Sequence, residues 1–171
     1  MPGDAMAPVI IIGMGSVGRL VAEALMAFDI DYVALERDET RLRTATADGY
    51  RVAFGDSSDV RLWPAVALGE RKVSVLTAPH YDTLKSTRDA IKLAYPSLKR
   101  FAYAINEADA GRLRHLDLIA VVDRTGLPGV ALATAVLNEF DVTRADVEGW
   151  LRQRLHLRDV RLEAVAWGGL G

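Results

Sequence analysis

The composition of this 171-residue chain is that of an ordinary globular protein, with 50% hydrophobic and 26% charged residues. A formal net charge of −2 lacks the basic excess of a nucleic-acid-binding surface, and the absence of cysteine excludes disulfides and thiolate metal sites. The N-terminal residues have no basic segment followed by a long apolar stretch, and the apolar runs are far shorter than the ~20 residues of a membrane-spanning helix. We therefore expect a cytoplasmic chain that inserts no segment into the membrane.

The first half of the chain alternates short apolar runs with helical patterns. Predicted strands cover residues 9–12, 32–35, 51–54 and 73–76, and predicted helices cover residues 17–28, 39–47 and 59–68. Pro64 weakens the third helical pattern, because proline is disfavoured inside a helix.

The second half continues the alternation. Helices are predicted over residues 82–95, 108–114 and 129–140, and strands over residues 101–105 and 118–122. Six strands joined by helical crossovers predict an α/β fold, a Rossmann-like doubly wound parallel sheet with helices on both faces. We assign residues 8–141 to this domain and residues 142–171 to a C-terminal extension, with a further strand predicted over residues 160–167.

A glycine motif directly follows the first strand and opens the first helix. Gly13, Gly15 and Gly18 fit the G-x-G-x-x-G pattern, with Met14, Ser16 and Val17 between them. The first glycine allows a tight turn, the second lets a phosphate approach the backbone, and the third lets helix and strand pack closely. The exposed N–H groups and the helix dipole then attract an anion. A tight turn that binds nothing is the alternative.

An acidic residue, Glu36, ends the second strand about 20 residues further on, where a carboxylate accepts hydrogen bonds from ribose hydroxyls. A carboxylate would repel a 2′-phosphate, which favours NAD or AMP over NADP, although the neighbouring Arg37 weakens that argument. Glu36 could instead be an ordinary surface charge. From the paired motif we expect Glu36→Ala to weaken adenine-nucleotide binding without unfolding the domain.

Over residues 8–140 the chain resembles the TrkA-N or RCK (regulator of K⁺ conductance) family, especially the cytosolic domains of Kef-type potassium efflux systems. The glycine motif, the segment 32–36 and the segment 49–57, which ends in Gly-Asp-Ser, carry the resemblance. It implies that Asp56 and Ser57 contact the adenine base and that Glu36 contacts the ribose. The loop after the fourth strand, Thr77, Ala78 and Pro79, completes the expected cofactor site.

Three positions depart from the family pattern. Ser16 stands where a basic residue is frequent, the loop 77–80 lacks the usual T-x-D, and Tyr103 stands where an arginine often reaches the phosphates. Both AMP and NAD(H) therefore remain open as the ligand, and Tyr103 is equally well interpreted as an aromatic plug at a strand end. His80 could be a pH-sensitive contact or a solvated loop residue. The histidines and carboxylates show no metal-ligand spacing, so no metal site is expected.

The residues after the core favour a sensor over an enzyme. Hydride-transfer enzymes need a substrate-holding domain, and the 30 residues that follow are too few to form one. We expect a regulatory domain that controls a cation transport protein at the inner face of the plasma membrane. The NAD-binding half of a dehydrogenase and a stand-alone nucleotide sensor are the alternatives. The apolar helix predicted from Gly129 favours a C₂ homodimer, in which this helix is covered by a second subunit; packing on its own sheet is the alternative.

Overall fold

Six parallel strands form a single sheet in the order β3-β2-β1-β4-β5-β6. The computed structural model describes residues 7–124 and 126–155. The strands are β1 Val9–Ile12, β2 Tyr32–Glu36, β3 Val52–Phe54, β4 Val73–Leu76, β5 Lys99–Ala104 and β6 Ile119–Val122. The helices are α1 Ser16–Ala27, α2 Glu39–Ala47, α3 Leu62–Ala65, α4 Tyr81–Ala94, α5 Glu107–Arg114, α6 Val130–Asn138 and α7 Arg144–Leu155.

The strand order places a topological switch point between β1 and β4. The chain runs from β1 to β3 towards one edge of the sheet and then returns beside β1 to run from β4 to β6 towards the other. Ligands of such open sheets bind outside the carboxyl ends of the strands at the switch point. The predicted doubly wound fold is confirmed, with most element boundaries within one or two residues of those predicted.

The central strands are apolar on both sides because helices cover both faces of the sheet. Ile11, Val73 and Val75 contribute to a core with α1 and α6, whereas Ile10 and Leu35 contribute to a core on the opposite face with α3 and α4. Parallel strands buried on both faces need such continuous apolar runs, since successive side chains point to opposite sides.

Helix α6 agrees with the alternative that the sequence left open, packing on its own sheet. Its apolar side chains are buried within the same chain, where α6 packs on α1 and on the sheet. Leu132, Val136 and Leu137 have no exposed surface at all. Because the domain itself covers this helix, its composition is explained by packing on its own sheet and needs no second subunit.

The region between β3 and β4 also differs from prediction. A single helix was expected over residues 59–68, but the structure has the short α3 and a separate 3₁₀ turn, Leu68–Glu70. Asp59 folds back onto Arg61, accepting its backbone N–H at 3.0 Å. Ala67 has a φ of 51°, a left-handed conformation that a right-handed helix cannot contain. Local turns before and after α3 therefore replace the ends of the longer helix that the sequence predicts.

Part of the predicted C-terminal extension continues the core. Val147 and Leu151 of α7 are buried in the same cluster as α1 and α6, and Arg154 pairs with Glu23 of α1 at 2.6 Å. The strand predicted over residues 160–167 lies outside the described residues. No helix in the ranges 7–124 and 126–155 is both long enough and apolar enough to cross a bilayer.

Candidate nucleotide-binding cleft

A cleft opens at the carboxyl ends of β1, β2, β3 and β4, at the switch point of the sheet. Seven of the residues predicted from the sequence line it: Gly13, Glu36, Arg37, Asp56, Ser57, Ala78 and Pro79. These residues come from four separate segments of the chain, so the parallel sheet brings them together by aligning its strand ends.

The three glycines of the motif differ in what surrounds them. Gly13 has a φ of 100°, and a Cβ atom there would lie 2.4 Å from Thr77 Oγ1. A Cβ atom at Gly18 would lie 2.0 Å from the carbonyl oxygen of Gly13, so glycine is required for this close packing of helix and strand. A Cβ atom at Gly15 would meet nothing within 4 Å. The open space therefore lies in front of the second glycine, where the motif predicts a phosphate.

Helix α1 begins without a cap. Its N-cap residue, Gly15, offers no side-chain acceptor, and the first turn carries no acidic residue. By contrast, α2 and α5 begin with Asp38 and Asn106, whose side chains accept backbone N–H groups. The N-terminus of α1 thus keeps its positive partial charge and donors available for an anion.

Glu36 is held in place by two backbone amides. Its Oε1 accepts the N–H of Met14 at 2.9 Å, and its Oε2 accepts the N–H of Asp38 at 3.0 Å. The residue is only 4% exposed, so these bonds are shielded from water. Sequence reasoning missed this second role: the carboxylate that is placed to meet a ribose also ties the glycine loop to the end of β2. Each oxygen retains a lone pair for a hydroxyl donor.

Arg37 and His80 meet across the mouth of the cleft. The Nη2 atom of Arg37 lies 2.8 Å from Nε2 of His80. Because a guanidinium only donates, the ring nitrogen is the acceptor of this hydrogen bond. The predicted loop histidine is therefore partnered, and it links the end of β2 to the start of α4.

Asp56 is oriented by its own turn. Its Oδ1 accepts the hydroxyl of Ser58 at 2.7 Å and the backbone N–H of Ser58 at 3.0 Å. These two bonds, with a smaller contribution from the charge of Arg37, hold the pKa of Asp56 below its usual value. The residue is therefore an ionised acceptor at neutral pH. Ser58 and Thr83 also line the cleft and were not predicted, because neither belongs to a motif.

The remaining predicted residues support the cleft without lining it. The Met14 side chain is 1% exposed and packs in the core, and the Thr77 hydroxyl bonds to the carbonyl oxygens of Ile12 and Gly13. Ser16 lines a separate groove beside α1.

Tyr103 packs against the core cluster and does not line the cleft, and burial raises its pKa. This placement agrees with the aromatic plug that the sequence left open. Within the described parts of the chain, no group of three or more histidines and carboxylates is arranged to hold a metal ion.

A family model described as the TrkA-N domain matches residues 9–124. Among curated relatives, the chain is 26% identical over 134 residues to a putative K⁺ efflux antiporter, KefB, of Alkalimonas amylolytica. That match covers 78% of this chain and 20% of the relative. A glutathione-regulated potassium-efflux system protein of Haemophilus influenzae is 22% identical, with 90% of this chain and 25% of the relative covered. The chain thus spans a quarter or less of these relatives.

Solved structures share the fold. The TrkA-N domain of the inner membrane protein ybaL from Escherichia coli superposes with a TM-score of 0.58 at 23% identity, covering 68% of this chain and 86% of that one. The Kef CTD of Shewanella denitrificans in its AMP-bound form gives 0.56 at 22% identity, covering 82% and 85%. The GsuK channel bound to NAD gives 0.57 at 16% identity, covering 81% and 24%.

Proposed function

We propose that this chain, which belongs to the TrkA-N domain family, is the nucleotide-binding regulatory domain of a potassium or other cation transport protein. The curated relatives named above are potassium efflux proteins, and this chain aligns with a minor part of each. Because this chain aligns with a quarter or less of each relative, the role that we assign to it is control of transport.

The uncapped N-terminus of α1 beside the Glu36 carboxylate carries the proposal. Donors without a side-chain cap face open space at Gly15, and a fixed acceptor lies next to them. This pairing is complementary to an adenylate, whose phosphate is an anion and whose ribose hydroxyls are donors. Asp56 and Ser57 lie at the far side of the same cleft, where the base would sit.

The ligand is an adenine nucleotide without a 2′-phosphate, either AMP or NAD(H). The buried carboxylate of Glu36 would repel a 2′-phosphate. Two proteins with the same fold were solved with AMP and with NAD, which makes these two compounds the first to test.

A regulatory role fits the cleft better than catalysis. The groups that could transfer protons are engaged with the protein itself: Glu36 with two amides, Asp56 with Ser58, and His80 with Arg37. A regulatory ligand acts only through its different affinities for two conformations of the protein. We therefore expect nucleotide binding without turnover.

A thermal-shift comparison of AMP, ADP, ATP, NAD, NADH and NADP tests the nucleotide assignment. A ligand at 100 times its Kd stabilises the native state by ~2.7 kcal/mol, which is readily seen as a rise in Tm. We expect AMP or NAD(H) to raise Tm and NADP to raise it less than NAD. A panel in which no adenine nucleotide changes Tm contradicts the proposal.

The regulatory role needs the complete protein. Potassium flux through the parent transporter, reconstituted in vesicles, should change when the preferred nucleotide is added on the side that holds this domain, which we place at the cytoplasmic face of the membrane. The Gly15→Val variant should lose this response and keep its basal flux. If the flux through the wild-type protein does not change when nucleotide is added, that would contradict a regulatory role, even if the domain binds AMP.

A C₂ homodimer stays a prediction. The apolar composition of α6 no longer supports it, because the chain itself covers this helix. Light scattering on the purified chain measures the mass directly. A mass that stays at that of one chain at every protein concentration would contradict the dimer.

A further inference from the structure

A second cavity, which we call the inner cavity, lies between the sheet and helix α4, next to the nucleotide cleft. Its walls are mainly aliphatic and come from β1 and β4 below and from α4 above, with one aromatic ring from α3: Ile10, Leu76, Leu84, Ile91 and Trp63. Only two residues of α4, Leu84 and Ile91, are buried, so the helix covers the cavity with one narrow face. The volume is about 60 Å³.

Of the six polar residues that line the cavity, two lie on the sheet itself. Ser74 on β4 and Arg100 on β5 are register partners, so they point to the same face of the sheet and lie side by side. Both line the inner cavity. Ser74 is 4% exposed, and its Oγ has no hydrogen-bond partner among the described residues. The same holds for the buried Nε of Arg100.

The Nε–H group of Arg100 is buried without an acceptor, although the residue as a whole is only partly buried. Burial lowers the pKa of Arg100, because the charged form loses hydration, yet a guanidinium remains protonated in proteins. The charge of Asp117 acts in the opposite direction, but this carboxylate already bonds Arg88 at 3.0 Å and Lys92 at 3.4 Å. A buried donor without a partner is costly, and more so when it is charged.

We propose that the inner cavity binds a small monocarboxylate, whose carboxylate accepts from Arg100 and Ser74 while its alkyl end lies against the aliphatic wall. A guanidinium matches a carboxylate in shape and charge. An engineered cavity of ~150 Å³ holds benzene, so 60 Å³ suits an alkyl group of about two or three carbons.

The inner cavity is separate from the nucleotide cleft, although the two share a wall that includes Ser57, Ser58 and Thr83. Neither Ser74 nor Arg100 lines the cleft, and neither Glu36 nor Gly13 lines the inner cavity. Variants at residues that line only one of the two cavities therefore test the two assignments separately.

Equilibrium dialysis of radiolabelled butyrate against the full chain, without nucleotide, tests the proposal. We expect saturable binding of one butyrate per chain and no displacement by butyramide, its neutral isostere. Arg100→Met should weaken binding at least tenfold, because it removes a charge-assisted bond and keeps a side chain of similar length. Arg43→Met, which removes an exposed arginine of α2 that does not line the cavity, is the matched control and should leave binding unchanged.

A second variant guards against misfolding of the first. Ser74→Ala removes one hydroxyl and should weaken butyrate binding several-fold while circular dichroism stays that of the wild type. The proposal is overturned if the wild-type chain binds no butyrate, which would leave a cavity filled by water only. It is also overturned if either variant, folded, binds as the wild type does, or if AMP displaces butyrate competitively.

Discussion

Replacement of Glu36 by alanine is expected to destabilise the domain as well as weaken nucleotide binding. The carboxylate accepts two backbone amides, at 2.9 and 3.0 Å, in a site that is 4% exposed. A hydrogen bond to a charged group contributes about 1.5–3 kcal/mol, so the loss of both should lower the free energy of unfolding by about 3–6 kcal/mol. That is a large part of the ~5–15 kcal/mol that stabilises a typical domain. The glycine motif and its acidic partner alone predict a purely functional effect, and the structure changes that expectation.

Urea denaturation followed by circular dichroism measures this loss. We expect a lower midpoint for Glu36→Ala with an unchanged slope, and an intermediate midpoint for Glu36→Gln, whose remaining oxygen still accepts one amide. Glu39→Gln, at the exposed start of α2, is a matched control and should unfold with the wild type. An alanine variant that unfolds at the wild-type urea concentration would refute the assigned contacts, whatever its affinity for nucleotide.

Three further predictions concern the glycine loop, α6 and the cleft. Gly13→Ala should lower Tm, because the new Cβ atom would lie 2.4 Å from Thr77 Oγ1 and the backbone φ is 100°. We expect the backbone strain to cost about 1–3 kcal/mol, and an unchanged Tm would contradict this geometry. Leu132→Ala in α6 should cost about 2–5 kcal/mol in urea denaturation. The loss should be the same at all protein concentrations if α6 is covered by its own chain. Ser58→Ala should raise the pKa of Asp56 towards 3.8, as measured by NMR titration. Because that pKa is lowered in the folded state, its stabilising effect is present above the unfolded pKa and disappears as the pH falls through the folded one. A pKa that does not move in this variant would exclude the Ser58 hydroxyl bond as its main cause.

The sequence was sufficient for the fold because local patterns and topology agree. The four apolar residues of β1, the glycine turn and the amphipathic α1 each predict the same βα unit, and repetition of that unit leaves few topologies. The sequence was not sufficient to predict the segment between β3 and β4, because an alanine does not predict the left-handed conformation that Ala67 adopts. For α6, apolar composition predicted complete burial correctly but could not tell which surface provides the cover.

The cleft was predictable to the extent that its residues follow strand ends. Glu36 ends β2 and Asp56 lies two residues beyond the end of β3, so the parallel sheet brings them to one edge. Ser74 and Arg100 could not be paired from the sequence, since their contact depends on β4 lying beside β5 in a particular register. The bond from Met14 to Glu36 spans 22 residues and depends on the exact course of the glycine turn.

Calorimetric titration of AMP and of NAD into the wild-type chain and its Gly15→Val variant is the most direct test of the nucleotide site. A side chain introduced at Gly15 would have its Cβ atom in open space, with nothing within 4 Å, and φ there is −76°, so valine should fold at this position while filling the space in front of α1. Gly111→Val, equally open but on α5, is the matched control. We expect AMP or NAD to bind the wild type and the control with equal affinity. The same compound should not bind Gly15→Val. Wild-type affinity in folded Gly15→Val, or a folded wild-type chain that binds neither compound, would contradict the account.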